Sequence, residues 1–291
     1  MPELPEVETI RLGLQQHLVG QTIEKVDVRL KKMVTGNIEY IVGATITSVE
    51  RFGKGLVISL DNGYAIAIHI KMTGQLIYHD AVIEKSFHPS LKIGGKLPNT
   101  HTHVIFHLKS LNANRKADER EATLYYNDIR QFGWLKIIRR EDLKSLPFFN
   151  ELGPEPLKDL SEERLATIIK ASKGPIKPLL MDQKKIGGIG NIYANDALFQ
   201  AKIDPRRKAN SLSVTEITAL FAAIEFVLKK SLSYGGASEV NFVNALGEDG
   251  GYQDHFLVYA QEDKPCLVCQ TTISKIRQAG RGTFFCALCQ L

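Results

Sequence analysis

The chain has 291 residues, 44% apolar and 24% charged, which suits a globular protein with room for two domains and two cores. Its net charge of +5 admits a polyanionic partner without requiring one. No apolar run reaches membrane-spanning length, and Glu3, Glu6, Glu8 and Arg11 at the start are unlike a secretory leader, so a cytoplasmic protein with no membrane partner is expected.

The first element carries chemistry as well as structure. The chain opens Met1-Pro2-Glu3-Leu4-Pro5-Glu6. Trimming of Met1, expected before a small second residue, makes Pro2 the N-terminal residue. Its ring nitrogen is then a secondary amine that titrates near about 7.7–8.0 and is substantially free base at neutral pH. Such an amine can attack a sugar C1′ and form an iminium ion, with the Glu3 and Glu6 carboxylates at hand to move protons. The plain alternative is a solvated leader before a helix. That helix is read over Pro5–Val19, where Val7, Ile10, Leu14 and Leu18 share one face and Gly20 ends it.

Strand patterns then run to about residue 140. Leu56, Ile58 and Leu60 alternate, Asp61-Asn62-Gly63 turns, and Tyr64, Ile66, Ile68 and Ile70 alternate again, which predicts a hairpin. Val104-Phe106-Leu108 and Leu124-Tyr126 form a second pair around a loop of mixed charge at residues 110–121. Repeated alternation with short turns predicts a β-sandwich or flattened barrel. His101, His103 and His107 fall on one strand face without an acidic or thiol neighbour, so a metal site there is not expected.

Glu151-Leu152-Gly153-Pro154-Glu155-Pro156 reads as a hinge, after which the period becomes helical. Ser161 can cap a helix carrying Leu165, Ile168 and Ile169, and Ser213 with Glu216 forms a capping box before Ile217, Leu220, Phe221, Ile224 and Leu228. Between them, Gly187-Gly188-Ile189-Gly190-Asn191 runs into a helix. Free backbone N–H groups at such a start can hold a phosphate, and Lys173, Lys177, Lys184 and Lys185 favour that over a purely geometric turn.

The last 26 residues hold all four cysteines, as Cys266-x2-Cys269 and Cys286-x2-Cys289. This is the spacing of a four-thiolate zinc ribbon with one structural ion, two disulfides being the alternative. Two short strands are read at Thr272–Ile276 and Thr283–Phe285, joined by a turn over Gln278-Ala279-Gly280-Arg281-Gly282 that puts Arg281 at the tip. So small a tail needs metal to fold.

Met1-to-Thr9, the element around Gly187-to-Ala194, and the ribbon with Gly280-Arg281-Gly282-Thr283-Phe284-Phe285-Cys286 together resemble the formamidopyrimidine-DNA glycosylase family. Arg51-to-Leu56, His69-to-Gly74, Asn127-to-Leu135 and Glu151-to-Leu157 match as well, so the resemblance covers essentially the whole chain. It implies an α+β protein: an N-terminal helix with a β-sandwich over 1–150, a helical helix-two-turns-helix domain with a lesion-covering loop over 151–260, and a zinc ribbon over 261–291. It also implies a monomer that binds damaged double-stranded DNA across the cleft between domains, and excision of oxidised purines followed by β,δ-elimination. Pro2 would attack C1′, Glu3 would protonate the sugar ring oxygen, Lys54 would serve β-elimination or bind phosphate, and Arg281 would clamp phosphate. Met72, Arg130 and Phe132 would fill the hole left by the extruded base, His101 and Asn191 would contact DNA, and residues 235–251 would cover the lesion.

Three positions depart from the pattern: Ile129 replaces the usual proline, Gln131 replaces a frequent basic residue, and Lys71 is an unusual neighbour for Met72. Two other functions compete with this reading. One is the sister endonuclease VIII, which prefers oxidised pyrimidines; Leu4 and the covering loop favour the purine enzyme. The other is a damaged-DNA-binding protein that does no chemistry.

Overall fold

Four apolar residues decide where the first helix lies. The computed structural model describes residues 1–81, 90–110 and 121–291, so the 110–121 loop falls outside the described residues except at its two ends. Helix α1 (Leu4–Leu18) carries a proline in its first turn, and Val7, Ile10, Leu14 and Leu18 on its inner face are all fully buried. Burial of each such side chain is worth about 1.5–3 kcal/mol relative to exposure. Gly20, at φ +82°, turns the chain out of the helix.

That face packs on a sandwich. One sheet has the order β1-β7-β8-β6, built from β1 (Gln21–Val28), β6 (Gly74–Asp80), β7 (Thr102–Ser110) and β8 (Glu121–Asp128). The other has the order β2-β9-β5-β4-β3, built from β2 (Val34–Thr35), β3 (Ile46–Phe52), β4 (Gly55–Leu60), β5 (Tyr64–His69) and β9 (Trp134–Arg139). The expected hairpins form: Leu56 faces Ile68 across β4 and β5, and Phe106 faces Leu124 across β7 and β8. A single apolar core joins α1 to both sheets through residues such as Ile23, Tyr78, Val104, Ile58 and Ile66. The outer face of the second sheet is also covered: Val57, Ala65 and Ala67 pack with Leu143, Leu146 and Phe149. Strand β4 is therefore buried along its length, which explains its nearly unbroken apolar run.

The chain forms two compact units, Met1–Asn150 with Tyr234–Gly251, and Glu151–Ser233 with Tyr252–Leu291. Residues 234–251, read from sequence as part of the helical domain, thus cluster with the sandwich. The reason is local. Tyr78 N–H donates to Ala245 O (2.8 Å), Gln75 Nε2 donates to Asn241 O (2.9 Å), and Phe242 and Ala245 enter the sandwich core. Gly13 permits the approach, since a Cβ there would lie 2.7 Å from that of Ala245.

In the second unit, α2 (Glu162–Lys170) is capped by Ser161, and α3 (Ile176–Met181) precedes the glycine turn. Helix α4 (Asn191–Gln200) is buried from Ile192 to Phe199, and α5 (Val214–Ser233) starts at the Ser213/Glu216 capping box, with both reciprocal bonds present. Asp196, fully buried in α4, accepts from the N–H groups of Leu257, Val258 and Tyr259 and from the Tyr252 hydroxyl. Burial pushes its pKa up while those donors pull it down. The hairpin of β10 (Ser274–Gln278) and β11 (Arg281–Phe285) joins this unit through a small core of Phe199, Val258, Ile273 and Phe284.

Candidate functional site

In the first unit, Pro2 and Glu3 lie buried at the head of α1. Glu3 is the N-cap, and its N–H donates to Glu6 Oε2 (2.8 Å) in a capping box. The other Glu6 oxygen accepts the Ala237 N–H (2.8 Å). Both oxygens of Glu6 are thus engaged in fixing the helix start and the 234–251 segment. That is a holding role, where its position suggested a proton carrier. The Glu3–Glu6 spacing announces the first of these bonds, whereas nothing in the sequence announces the second.

Lys54 sits in the turn between β3 and β4, only 4% exposed. The turn is tied to α1: Glu8 accepts from Arg51 Nε (2.9 Å), and Arg51 Nη1 donates to Gly53 O (3.0 Å). Nearby His69 is brought down to about 3, chiefly by burial and then by the Lys71 and Lys54 charges, so its ring stays neutral.

Met72, Arg130 and Phe132 come together on the surface of this unit. Arg130 Nη1 lies 2.9 Å from Met72 Sδ, and the Arg130 guanidinium sits 4.8 Å from the centre of the Phe132 ring. All three are exposed, Met72 to 38% and Phe132 to 56%. The three histidines part company. His103 Nε2 is 2.8 Å from Asp128 O, His107 Nε2 is 2.8 Å from Asp27, and His101 stands half-buried in the turn before β7. Among the described residues, only the four cysteines group as metal ligands.

In the second unit, Asn191 is the first residue of α4, following the left-handed Gly188 at φ +89°. Gln183, which sequence reading passed over, braces this turn: its amide donates to Met181 O (2.9 Å) and Ile189 O (2.7 Å), and its oxygen accepts from Gly188 N–H (2.9 Å). Lys173 is exposed just before α3, and Lys184 pairs with Glu151 at 2.8 Å. Lys177 departs from expectation. It is 1% exposed and donates to Gly282 O and Thr283 Oγ1, each at 2.7 Å, so its ammonium is committed to anchoring the ribbon hairpin where a phosphate contact was expected. Its apolar neighbours Ile176, Leu179 and Leu180 carry it inside.

Arg281 is exposed beside the hairpin turn, lining a cavity of about 240 Å³ with Lys177, Met181, Asp182 and Gln278. The turn is tighter than expected. Gln278 pairs with Arg281, leaving Ala279 and Gly280 as a two-residue left-handed turn. Asn195, a second residue missed by sequence reading, links the site together: its Oδ1 accepts from Phe284 N–H (2.9 Å) and its amide donates to Asn191 O (2.6 Å). The helix start and the hairpin are thereby held in one frame.

All four cysteines are free, and their sulfurs lie within 4.8 Å of one another, with Cys266–Cys289 at 3.9 Å and Cys269–Cys286 at 3.4 Å. These separations are too long for disulfide bonds. They bracket the ~3.8 Å edge of a tetrahedron with zinc–sulfur bonds of about 2.3 Å. Val268 N–H points at Cys266 Sγ (3.4 Å), a backbone donor to a ligating sulfur of the kind such knuckles present. The donor set fits one four-coordinate ion, with no position left for water.

Comparison with known proteins agrees along the whole chain. Residues 1–135 match the formamidopyrimidine-DNA glycosylase N-terminal domain, residues 152–242 its H2TH domain, and residues 263–291 the zinc finger found in FPG and IleRS. The formamidopyrimidine-DNA glycosylase of Desulfitobacterium hafniense is 38% identical over 100% of both chains, and that of Listeria monocytogenes is 36% identical over 100% of both. Lactococcus lactis Fpg in complex with DNA containing an abasic site superposes with a TM-score of 0.83 at 32% identity over 99% of both chains. MutM (FPG) from Thermus thermophilus gives 0.83 at 34% over 99% of this chain and 98% of that one.

Proposed function

The chain belongs to the formamidopyrimidine-DNA glycosylase family, and from that membership we propose that it is a bifunctional glycosylase and AP lyase that excises oxidised purines through Pro2. The observation that supports this most directly is the buried head of α1, where a residue that can become a secondary amine adjoins a capping carboxylate. Pro2 nitrogen forms a bond to C1′ as the bond from C1′ to the damaged base breaks. Glu3 protonates the ring oxygen, which opens the sugar and leaves an iminium ion. Loss of a C2′ proton then expels the 3′ phosphate, and a second elimination expels the 5′ phosphate. Water then hydrolyses the iminium, which frees the Pro2 amine and releases the unsaturated sugar remnant, so the products are the free base, that remnant and a one-nucleotide gap with phosphate on both sides.

Lys54, tied through Arg51 to α1, supplies positive charge for elimination or for phosphate. Met72, Arg130 and Phe132 fill the space of the extruded base, a flexible thioether and an aromatic ring suiting a wedge between base steps. His101, Lys173, Asn191 and Arg281 grip the damaged duplex. Cys266, Cys269, Cys286 and Cys289 hold one zinc ion, which stiffens the hairpin bearing Arg281. The protein acts as a monomer.

Excision of 8-oxoguanine opposite cytosine is expected to exceed excision of thymine glycol; the reverse preference would move the chain to the pyrimidine-directed sister activity. Arg281→Ala should weaken duplex binding and reduce the slope of log affinity against log salt by about 1, one phosphate contact's share. An unchanged slope would remove Arg281 from the phosphate contacts.

A further inference from the structure

Two loop tips carry the wedge, and each contains a non-glycine residue in the left-handed region. Lys71 has φ +53° and Gln131 has φ +56°. Such conformations persist only where the surroundings over-determine them. Here each tip is held by a buried acceptor. Lys71 N–H donates to Nδ1 of the buried His69 (3.0 Å), whose neutral ring keeps that lone pair open. Across the other tip, the carboxylate of Asp128, 0% exposed, accepts Arg130 N–H at Oδ1 (3.2 Å) and Gly133 N–H at Oδ2 (2.8 Å), bracketing Gln131 and Phe132.

Thr73 then joins the two tips. Its hydroxyl donates to Asp128 Oδ1 (2.5 Å) and accepts from Arg130 N–H (2.9 Å), while its chain neighbour is Met72. Asp128 is fixed in turn by its own backbone, whose N–H donates to His101 O (3.0 Å) and whose carbonyl meets His103 Nε2 (2.8 Å). The exposed side chains above this framework already touch, through Arg130 to Met72 and Arg130 to Phe132.

We propose that Asp128 and Thr73 are positioning residues that lock the two loops into one preassembled wedge, so that Met72, Arg130 and Phe132 enter the duplex as a unit. This deepens the functional reading and rests on those three residues being the wedge. Preassembly removes the cost of ordering three side chains during insertion.

The test uses Thr73→Val, which keeps shape and removes both hydroxyl bonds, Thr73→Ser, which keeps the hydroxyl, and Phe132→Ala as the wedge control. Unstacking of the lesion is followed with 2-aminopurine beside 8-oxoguanine, alongside single-turnover excision from duplex and strand cleavage at an abasic site in single-stranded DNA, where no helix needs wedging. Thr73→Val should slow unstacking and duplex excision by roughly tenfold and leave single-strand cleavage within about twofold, and Thr73→Ser should restore both. Phe132→Ala without effect on unstacking would defeat the wedge reading itself. Phe132→Ala slow with Thr73→Val unchanged would defeat the clamp alone. Equal loss on single strands would show general damage and also overturn it. In wild-type protein without DNA, the Arg130 and Gly133 amides should exchange slowly with solvent; fast exchange would mean that the wedge is not preassembled.

Discussion

Replacing Pro2 by glycine should abolish or severely weaken the adduct that borohydride traps on damaged duplex, and should lower strand cleavage by roughly 10³-fold or more, the scale of losing a covalent nucleophile. Borohydride reduces an iminium ion to a stable amine, so trapping reports the proposed intermediate and not binding. The substitution is structurally mild. Helix α1 begins at Leu4 and is capped by Glu3, one residue beyond the change, so stability should move by no more than about 1 kcal/mol. Duplex binding should therefore survive where chemistry fails. The same logic makes the N-terminal mass decisive. While Met1 remains, the Pro2 nitrogen is an amide and has no nucleophilic lone pair. Active protein that retains Met1, or correctly trimmed wild type that binds lesions and cannot be trapped, would overturn the assignment, the latter in favour of a DNA-binding protein without catalysis.

The elements that carry this chemistry were legible to different depths. Helix α1, the β4–β5 hairpin and the start of α5 were readable because each is decided by residues close in sequence: an apolar face, an Asp-Asn-Gly turn, a Ser213/Glu216 box. The four cysteines were readable because tetrahedral ligation demands paired knuckles. What could not be read depends on distant pairs. Glu6 meets Ala237, and Gly13 makes room for Ala245, so the 234–251 segment joins the sandwich although its sequence neighbours are helical. Lys177 reads in sequence as one of four lysines favouring phosphate at the glycine turn, and its bonds to the distant hairpin acceptors show why it lies inside. The hairpin turn was overestimated because an alanine, Ala279, occupies a left-handed position that usually signals glycine or asparagine. Site residues were named largely by motif. Gln183 and Asn195 lie outside every motif matched in the sequence, and Asp128 and Thr73 lie within matched ones without their role being visible, since a buried polar brace is defined by partners and not by spacing.

Removing the metal should unfold the ribbon and take Arg281 with it. The hairpin's own apolar support is small, resting on Ile273 and Phe284 against Phe199 and Val258, and two ligands, Cys266 and Cys286, are themselves part of that core. Structural zinc contributes about 10–16 kcal/mol in isolated zinc-finger peptides near neutral pH, far more than two short strands supply. Loss of the hairpin also removes the Gly282 and Thr283 acceptors of Lys177 and takes the Phe284 N–H from Asn195 Oδ1, so α3 and α4 both lose hydrogen bonds. Hydrogen bonds to a charged group are worth about 1.5–3 kcal/mol each, so their loss should soften the neighbouring helices as well as free the tail. Chelated protein, or Cys266→Ser, should therefore show an earlier thermal transition in the helical unit and duplex affinity reduced by at least the Arg281→Ala loss. Cleavage of single-stranded abasic DNA, which the proposed function assigns to Pro2 in the other unit, should fall far less. Acid should mimic chelation, since protonation of the thiolates releases the ion. Elemental analysis of the purified protein should return one zinc per chain; full duplex affinity in protein shown to hold none would break the link between the thiolate cluster and the phosphate grip.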